Sequence, residues 1–259
     1  FEIFILKRAG AEKDYTPEKV AEAKAFYESL TPEELQKFTT GLIDNFPGFK
    51  GVTLEDVRAM LKKYEHLTRA DLEANLKHFL SEVCPVAEEA GCIMVIHPDD
   101  PPYSILGLPR IFSDINDVKN LLKMVDSPAN GVCFCAGSFS GRLDNDIVEM
   151  FKACADRVGF VHLRSTQHDG KGNFFEANHL EGVVDMYGLV KAIIEEQVRR
   201  KKAGRADWRL PFRPDHGHTM LDDLAKPPCP NPGYTAIGRL KGLAEIRGLE
   251  HGILKSMNL

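Results

Sequence analysis

Long apolar runs, paired cysteines and excess positive charge are all scarce in this chain of 259 residues. No stretch approaches the roughly 18 apolar residues of a membrane-spanning helix, and no signal peptide is visible. The net charge of −5 and the isoelectric point near 6.0 give no reason to expect nucleic acid or an anionic membrane as a partner. We therefore expect a cytoplasmic protein whose partners are small molecules, with no nucleic acid and no membrane.

The six cysteines contain no CxxC pair, which is a frequent spacing in zinc and redox sites. Several of them lie in apolar segments, so we expect reduced thiols rather than a disulfide framework. The composition, 43% hydrophobic and 27% charged, supplies ample material for a core. A chain of this length suits one large or two small globular domains.

The first 90 residues carry repeated helix-start signals. A threonine N-cap followed by early acidic residues occurs at Thr16, Thr31 and Thr53, and the first two are also followed by proline. These signals predict three helices, the second ending near residues 45–48, and apolar spacing predicts a fourth over 68–90. We see no chemistry in this region and interpret residues 1–90 as a mostly helical insertion and lead-in.

From Gly91 onward a strand, a loop and a helix alternate four times. The predicted strands are Cys92–His97, Gly131–Cys135, Arg157–Leu163 and Trp208–Arg213. The predicted helices lie near residues 114–125, 144–155, 185–202 and 234–255, and the stretch 165–184 is interpreted as a long polar loop. Such repeats need right-handed crossovers and a parallel sheet. Residues 91–259 are thus α/β, and four units make half of a (β/α)8 barrel or a small open sheet.

The first of these strands has the clearest pattern. Its apolar run, Cys92–Ile96, leads directly into His97 and Pro98. Such a run is typical of a strand buried on both faces, as in a parallel sheet. The strand must end near His97, because Pro98 has no N–H to donate to a neighbouring strand.

Each predicted strand brings one candidate metal ligand to its carboxyl end, where ligands bind in α/β sheets and barrels. The four candidates are His97, Cys135, His162 and Asp215. Two imidazoles, a thiolate and a carboxylate suit zinc as well as iron, and leave manganese possible but not favoured on chemistry alone. Any one of these residues alone is weak evidence for a metal site, since a strand-end histidine or cysteine is usually structural.

Period-two alternation predicts which side chains share a face of each strand. We expect Val158, Phe160 and His162 to lie on one face of the third strand. Cys133 and Cys135 should likewise lie on one face of the second.

Groups able to transfer protons or to bind a polyhydroxy acid are expected around these candidates. His216 follows Asp215 directly and suits an acid or base, and Tyr234 could donate a proton from a turn. Arg110 and Arg164 offer forks for a carboxylate, or else form structural ion pairs.

Four further polar residues have a structural interpretation beside the functional one. His218 is either functional or orders its loop, whereas His179 is more often a surface histidine than a ligand. Asp99 and Asp100 either orient His97 or cap the following turn.

Ten motifs, dense and in order, resemble the D-mannonate dehydratase family. They are IHPDDPP (96–102), GLPRI (107–111), SPANG (127–131), FCAGS (134–138), DNDI (144–147), HLR (162–164), HLEG (179–182), VDMY (184–187), RPDHGH (213–218) and NPGYTAIGRLKGLAE (231–245). The match runs from about residue 68 to 250, and the leading stretch FEIFILKRAGAEKDYTP also resembles the helical insertion that precedes it.

The resemblance implies a metal-dependent hydro-lyase with a xylose-isomerase-like TIM (β/α)8 barrel. Such an enzyme would convert D-mannonate to 2-keto-3-deoxy-D-gluconate in hexuronate catabolism, with Mn2+ or Fe2+ as its one divalent metal. The family's ligands carry over onto the four candidates above, and its proton-transfer groups onto His216 and Tyr234. The loop 165–173, STQHDGKGN, departs from the family's usual asparagine-led form.

The family's amino-terminal half, with its first four strands, has no counterpart here, and the chain begins at Phe1 rather than methionine. Half a barrel has open sheet edges and an unclosed core. We expect either a fragment that pairs with its missing half or with a partner copy, as in a homodimer, or part of a longer protein. The alternatives are another metal-dependent barrel enzyme of the sugar-isomerase or hydrolase type, and a truncated, non-catalytic metal-binding remnant. The acidic isoelectric point argues against a nuclease.

Overall fold

A computed structural model describes residues 1–44, 48–227 and 233–259. The chain divides into two compact units, the first comprising residues 1–68 and 104–109 and the second residues 69–103 and 110–259. Among the described helices, none is both long and apolar enough to cross a bilayer. The described cysteines are free thiols, as predicted, whereas Cys229 lies outside the described residues.

The first unit is helical, as its N-cap signals predict. Its helices are α1 (Pro17–Ser29), α2 (Pro32–Asp44) and α3 (Leu54–Lys62), after a short 3-10 helix at Ala11–Asp14. The Thr16 side chain accepts from the Lys19 N–H, and Thr53 forms a reciprocal capping box with Asp56. Leu6, Ile43 and Val57 form its small core. The predicted end of α2 falls largely outside the described residues.

The second unit alternates helices and strands. Its helices are α4 (Arg69–Glu89), α5 (Ile115–Met124), α6 (Ala136–Ser140), α7 (Ile147–Cys154), α8 (Met186–Lys202) and α9 (Ala236–Ser256). Its strands are β1 (Met94–Ile96), β2 (Asn130–Cys135), β3 (Val158–Leu163), β4 (Thr166–His168), β5 (Phe174–Glu176) and β6 (Phe212–Pro214). The sequence predicted each of these except α6 and the β4–β5 hairpin, although β6 begins later and is shorter than expected.

The first continuous stretch of the first unit ends at residue 68, whereas the sequence pattern predicts a boundary at residue 90. Helix α4 belongs to the second unit because it buries Leu80, Cys84 and Ala87 in that unit's core.

Strands β1, β2, β3 and β6 form a parallel sheet in that order, so consecutive strands are added on one side without reversal. Their carboxyl ends therefore share one edge. The main core lies on one face of this sheet, where Val132, Phe134 and Val161 meet helical residues such as Leu121 and Ile193. The chain is thus α/β with a parallel sheet, as predicted.

The prediction that β1 is buried on both faces is wrong. Met94 and Ile96 pack against the helical core, but Ile93 and Val95 are 39% and 37% exposed. Strand β1 lies at the edge of the sheet, and the helical core packs on the face opposite Val95. A run of apolar residues cannot by itself distinguish one covered face from two.

The expected face of Val158 is also wrong. Val132 pairs with Val158 but Cys133 pairs with Phe160, so β3 carries one extra residue, Gly159. This bulge reverses the alternation. Val158 is consequently buried in the helical core, whereas Phe160 and His162 point to the opposite face, their rings 5.2 Å apart.

His179 is buried at 4% exposure, which corrects its interpretation as a surface histidine. Its ring lies against α9 at Gly242, where an added Cβ would be only 2.2 Å from the His179 Cε1 atom. Burial lowers the pKa of His179, which favours the neutral ring. The absence of a side chain at position 242 is therefore what lets this loop close onto the helix.

We predict that Gly242→Ala lowers the free energy of unfolding by about 1–3 kcal/mol, the usual cost of overpacking. The matched control is Gly248→Ala on the same helix, where an added Cβ would meet nothing within 4 Å. It should stabilise the protein by up to about 1 kcal/mol through helix propensity. Urea unfolding of both variants checks this, and equal effects at the two positions would refute the packing argument.

Candidate metal and proton-transfer site

Three of the four predicted metal ligands converge at the carboxyl edge of the sheet. Cys135 ends β2 and is paired in register with His162 of β3, and Asp215 directly follows β6. All three residues are buried, and their ligand atoms lie within 4.8 Å of one another. The Asp215 Oδ2 atom lies 3.6 Å from His162 Nδ1 and 4.0 Å from Cys135 Sγ.

The fourth candidate, His97, lies next to His162. The two rings are 5.1 Å apart, and His97 groups with Cys133 and His162 as a second possible ligand set. The Nδ1 atom of His97 lies 2.8 Å from the Pro98 carbonyl oxygen. With a proton on Nδ1 donated to that carbonyl, Nε2 keeps a free lone pair, the arrangement usual for a metal-binding histidine.

The donor set fits a divalent cation. The His162 Nδ1 atom is buried and has no hydrogen-bond partner among the described residues, which is costly unless something else occupies its lone pair. Arg213 holds Asp215 Oδ1 at 2.9 Å, so Oδ2 is the oxygen that faces His162 and Cys135. Imidazole, thiolate and carboxylate atoms around one point are the ligands of transition-metal sites.

Cys133 lies on the same face of β2 as Cys135, but it is poorly suited to act as a thiolate on its own. Burial and the neighbouring Cys135 raise the pKa of Cys133 to about 12, so it is a neutral thiol at physiological pH. The Ser138 hydroxyl is 3.2 Å from Cys135 Sγ and 3.1 Å from Asp100 Oδ2.

His216 and Tyr234 form a pair next to the cluster. The His216 Nε2 atom lies 3.1 Å from the Tyr234 hydroxyl and 3.6 Å from Asp215 Oδ2. The Gly217 N–H donates to the Gly233 carbonyl at 2.8 Å, which ties the loop after β6 to the segment that carries Tyr234. Burial and then Asp215 raise the pKa of Tyr234, so the phenol stays protonated at neutral pH.

The other ring nitrogen of His216 is held by a carboxylate that the sequence analysis did not single out. His216 Nδ1 lies 2.6 Å from Glu176 Oε1, at the end of β5. Burial works to raise the pKa of Glu176, but hydrogen bonds from His216 and Arg164 outweigh it and hold the pKa at about 2. Glu176 is therefore ionised throughout the physiological range.

Arg164 forms structural ion pairs, one of the two roles considered for it. Its Nε donates to both carboxylate oxygens of Glu176 at 3.0 Å, and its second amino group donates to Glu176 Oε1 at 2.7 Å. The remaining amino group pairs with Asp100. A Cβ added at Gly137 would be only 2.2 Å from the aliphatic part of the Arg164 side chain.

Arg110 is less tightly held. Its side chain lies 3.6 Å from Asp99 Oδ1 and 3.4 Å from the Tyr103 carbonyl, and no contact joins it to the cluster within the described residues. Asp99 itself accepts from the backbone N–H groups of Ile111 and Phe112, which is the turn-capping alternative. The His218 side chain is exposed, and its backbone carbonyl accepts from Thr235.

Glu176 and Ser138 were missed for different reasons. Ser138 lies in the motif FCAGS, but nothing in the motif says which way its hydroxyl points. Glu176 ends a hairpin whose turn contains Gly170 and Gly172 at positive φ, between two apolar-containing segments. A turn rich in glycine and aspartate between short strands was the signal that could have revealed it.

Comparison with known proteins identifies relatives over nearly the whole chain. The model of the family described as D-mannonate dehydratase (UxuA) matches residues 12–258. Mannonate dehydratase of Marinomonas sp. (strain MWYL1) is 44% identical over 259 residues, covering 99% of this chain and 66% of that protein. Mannonate dehydratase of Saccharophagus degradans is 42% identical over 254 residues, covering 98% and 64%.

A solved structure agrees with these relatives. The crystal structure of mannonate dehydratase from Streptococcus suis serotype 2 matches with a TM-score of 0.68 and 34% identity, over 77% of this chain and 54% of that one. The chain thus spans about two thirds of the length of the curated relatives it matches, and about half of the solved structure.

Proposed function

We propose a function from one premise: this chain belongs to the D-mannonate dehydratase family. It carries the metal centre and the proton-transfer pair of a hydro-lyase that removes water from D-mannonate to give 2-keto-3-deoxy-D-gluconate. The observation that carries this proposal is the convergence of Cys135, His162 and Asp215 beside the His216–Tyr234 pair. A dehydration that begins with loss of the proton α to a carboxylate requires a metal site next to a proton-transfer pair.

The proposed ligands of the metal are Cys135, His162 and Asp215, together with His97. The Nδ1 atom of His162, which has no hydrogen-bond partner in the part of the chain that the structure describes, supports this assignment. We propose Mn2+ or Fe2+ as the cation. When bound, it supplies Lewis-acid stabilisation of the negative charge that develops on the substrate carboxylate.

His216 is the proposed base and Tyr234 the proposed acid. A carboxylate at 2.6 Å from His216 Nδ1 favours a proton on that nitrogen, which leaves the Nε2 lone pair free to take the C2 proton. The raised pKa of Tyr234 keeps its hydroxyl protonated, so it can donate to the departing C3 hydroxyl. Loss of water then gives an enol that ketonises to the 2-keto acid.

Arg110 is the proposed fork for the substrate carboxylate. Its contacts at 3.4 and 3.6 Å are long and easily exchanged for a bidentate ligand. Arg164 was the other candidate, but its guanidinium is already occupied by Glu176 and Asp100. We assign it to holding those two carboxylates.

The sheet is proposed to be part of a TIM (β/α)8 barrel. Parallel strands added in chain order without reversal, with helices on one face, support this topology. The exposed Ile93 and Val95 would line the interior of the closed barrel. An experimental structure in which this parallel sheet stayed open would contradict the proposal.

A coupled assay for the 2-keto acid tests the function. The full-length protein, loaded with Mn2+ or Fe2+ and given D-mannonate, is expected to form product, and a chelator is expected to abolish turnover. Anomalous scattering at the metal edge locates the cation independently. Metal bound at Cys135, His162 and Asp215 without turnover would favour the non-catalytic alternative instead.

A further inference from the structure

We infer that Glu176 is a positioning residue that fixes the ring orientation and the tautomer of His216. This deepens the proposed function and rests on it for the reaction concerned. The contact is direct, since Glu176 Oε1 lies 2.6 Å from His216 Nδ1. An ionised carboxylate can only accept at that distance, so the proton of the neutral imidazole lies on Nδ1 and the lone pair on Nε2.

The orientation of the ring is set from both sides. Nδ1 faces Glu176, and Nε2 faces the Tyr234 hydroxyl at 3.1 Å. The ring centroids of His216 and Tyr234 are 4.9 Å apart. Rotation of the imidazole about its own axis would break both contacts, so the carboxylate selects the face that the ring presents to the substrate.

Glu176 is itself held in place, which a positioning residue requires. Both of its carboxylate oxygens accept from Arg164, whose side chain is only 8% exposed. The stem of Arg164 packs closely against Gly137 of α6. The β4–β5 pairing of Thr166 with Glu176 fixes the backbone. His216 is thereby anchored through Glu176 to a rigid part of the second unit.

Asp100 offers a matched comparison within the same network. It is the other carboxylate that binds Arg164, but its contacts are with Arg164 and Ser138 and not with His216. A purely structural role for the ion pairs would make Glu176 and Asp100 equivalent. A positioning role makes only Glu176 matter to the tautomer of His216.

The experiment combines kinetics with 15N-histidine NMR of the full-length protein, recorded without paramagnetic metal. We expect wild-type His216, assigned with His216→Asn, to be protonated on Nδ1. Glu176→Leu should lower kcat by about 10- to 100-fold, as removal of a group that orients a metal-binding histidine usually does, with KM changed less than about threefold. Glu176→Gln keeps an acceptor for Nδ1 and should recover a large part of kcat.

Asp100→Leu should leave the tautomer of His216 unchanged, and Glu181→Gln, on the exposed loop nearby, should leave kcat unchanged. A neutral wild-type His216 protonated on Nε2, or a Glu176→Leu enzyme with wild-type kcat, would overturn the inference. A wild-type protein inactive on D-mannonate, but with Nδ1 protonated and the tautomer lost in Glu176→Leu, would instead contradict the proposed function and still support the positioning role. Because the tautomer is read in the wild type, the inference stays testable even if Glu176→Leu does not fold.

Discussion

Replacing His162 with alanine is expected to abolish both metal binding and turnover. His162 belongs to both possible ligand sets, the one with Cys135 and Asp215 and the one with His97 and Cys133. Its removal therefore leaves each of these three-residue sets with only two ligands. We expect the affinity for Mn2+ to fall at least about 100-fold. Removing a residue that only orients a metal ligand costs up to about 100-fold, so removing a ligand itself should cost no less.

Titration calorimetry with Mn2+ and elemental analysis of the purified protein measure this loss. The matched control is His251→Ala, which removes an exposed histidine on α9 and should bind metal and turn over as wild type does. Circular dichroism checks that both variants are folded. Stoichiometric metal in folded His162→Ala protein would remove the proposed site from this edge of the sheet.

Replacing His216 with asparagine is expected to lower kcat by about 100- to 10,000-fold, the range that a positioned acid or base contributes. Metal content should be unchanged, because the proposed ligands remain and the asparagine amide can still donate to Glu176. The loss should therefore appear in kcat rather than in metal affinity or KM. This separates a proton-transfer role from a structural one.

His218→Asn provides the comparison, since it makes the same change two residues further along the same loop. The His218 side chain is exposed, so its replacement should leave kcat within about twofold of wild type, as surface substitutions usually do. Full turnover by metal-loaded His216→Asn would exclude His216 from the chemistry and leave Tyr234 as the base.

Much of the architecture could be predicted because local signals and the fold agree. Threonine caps such as Thr53 fix where helices begin, and an apolar run that meets a proline fixes where β1 ends. The carboxyl ends of parallel strands share one edge, so the sequence alone predicts that Cys135, His162 and Asp215 lie close together, as they do. Strand β6 was predicted too early, yet Asp215 still follows it, because only the end of the strand mattered.

The remainder depends on contacts between segments distant in sequence. Whether β1 is covered on one face or two depends on helices elsewhere in the chain. The identity of Val95 does not indicate which of the two applies. The partners of Arg164 are 64 and 12 residues away, so its two possible roles could not be separated beforehand. Glu176 was missed because its hairpin has strands of only three residues, too short to show a period.

The bulge in β3 constrains how this chain can vary in length. Gly159 is the unpaired residue that places His162 on the same face as Cys135 while Val158 stays in the helical core. Deleting Gly159 would restore the regular alternation of β3. Either Val158 or His162 would then point to the wrong face of the sheet. An indel that a surface loop would tolerate is therefore excluded here, and length polymorphism among natural variants should be absent at this point.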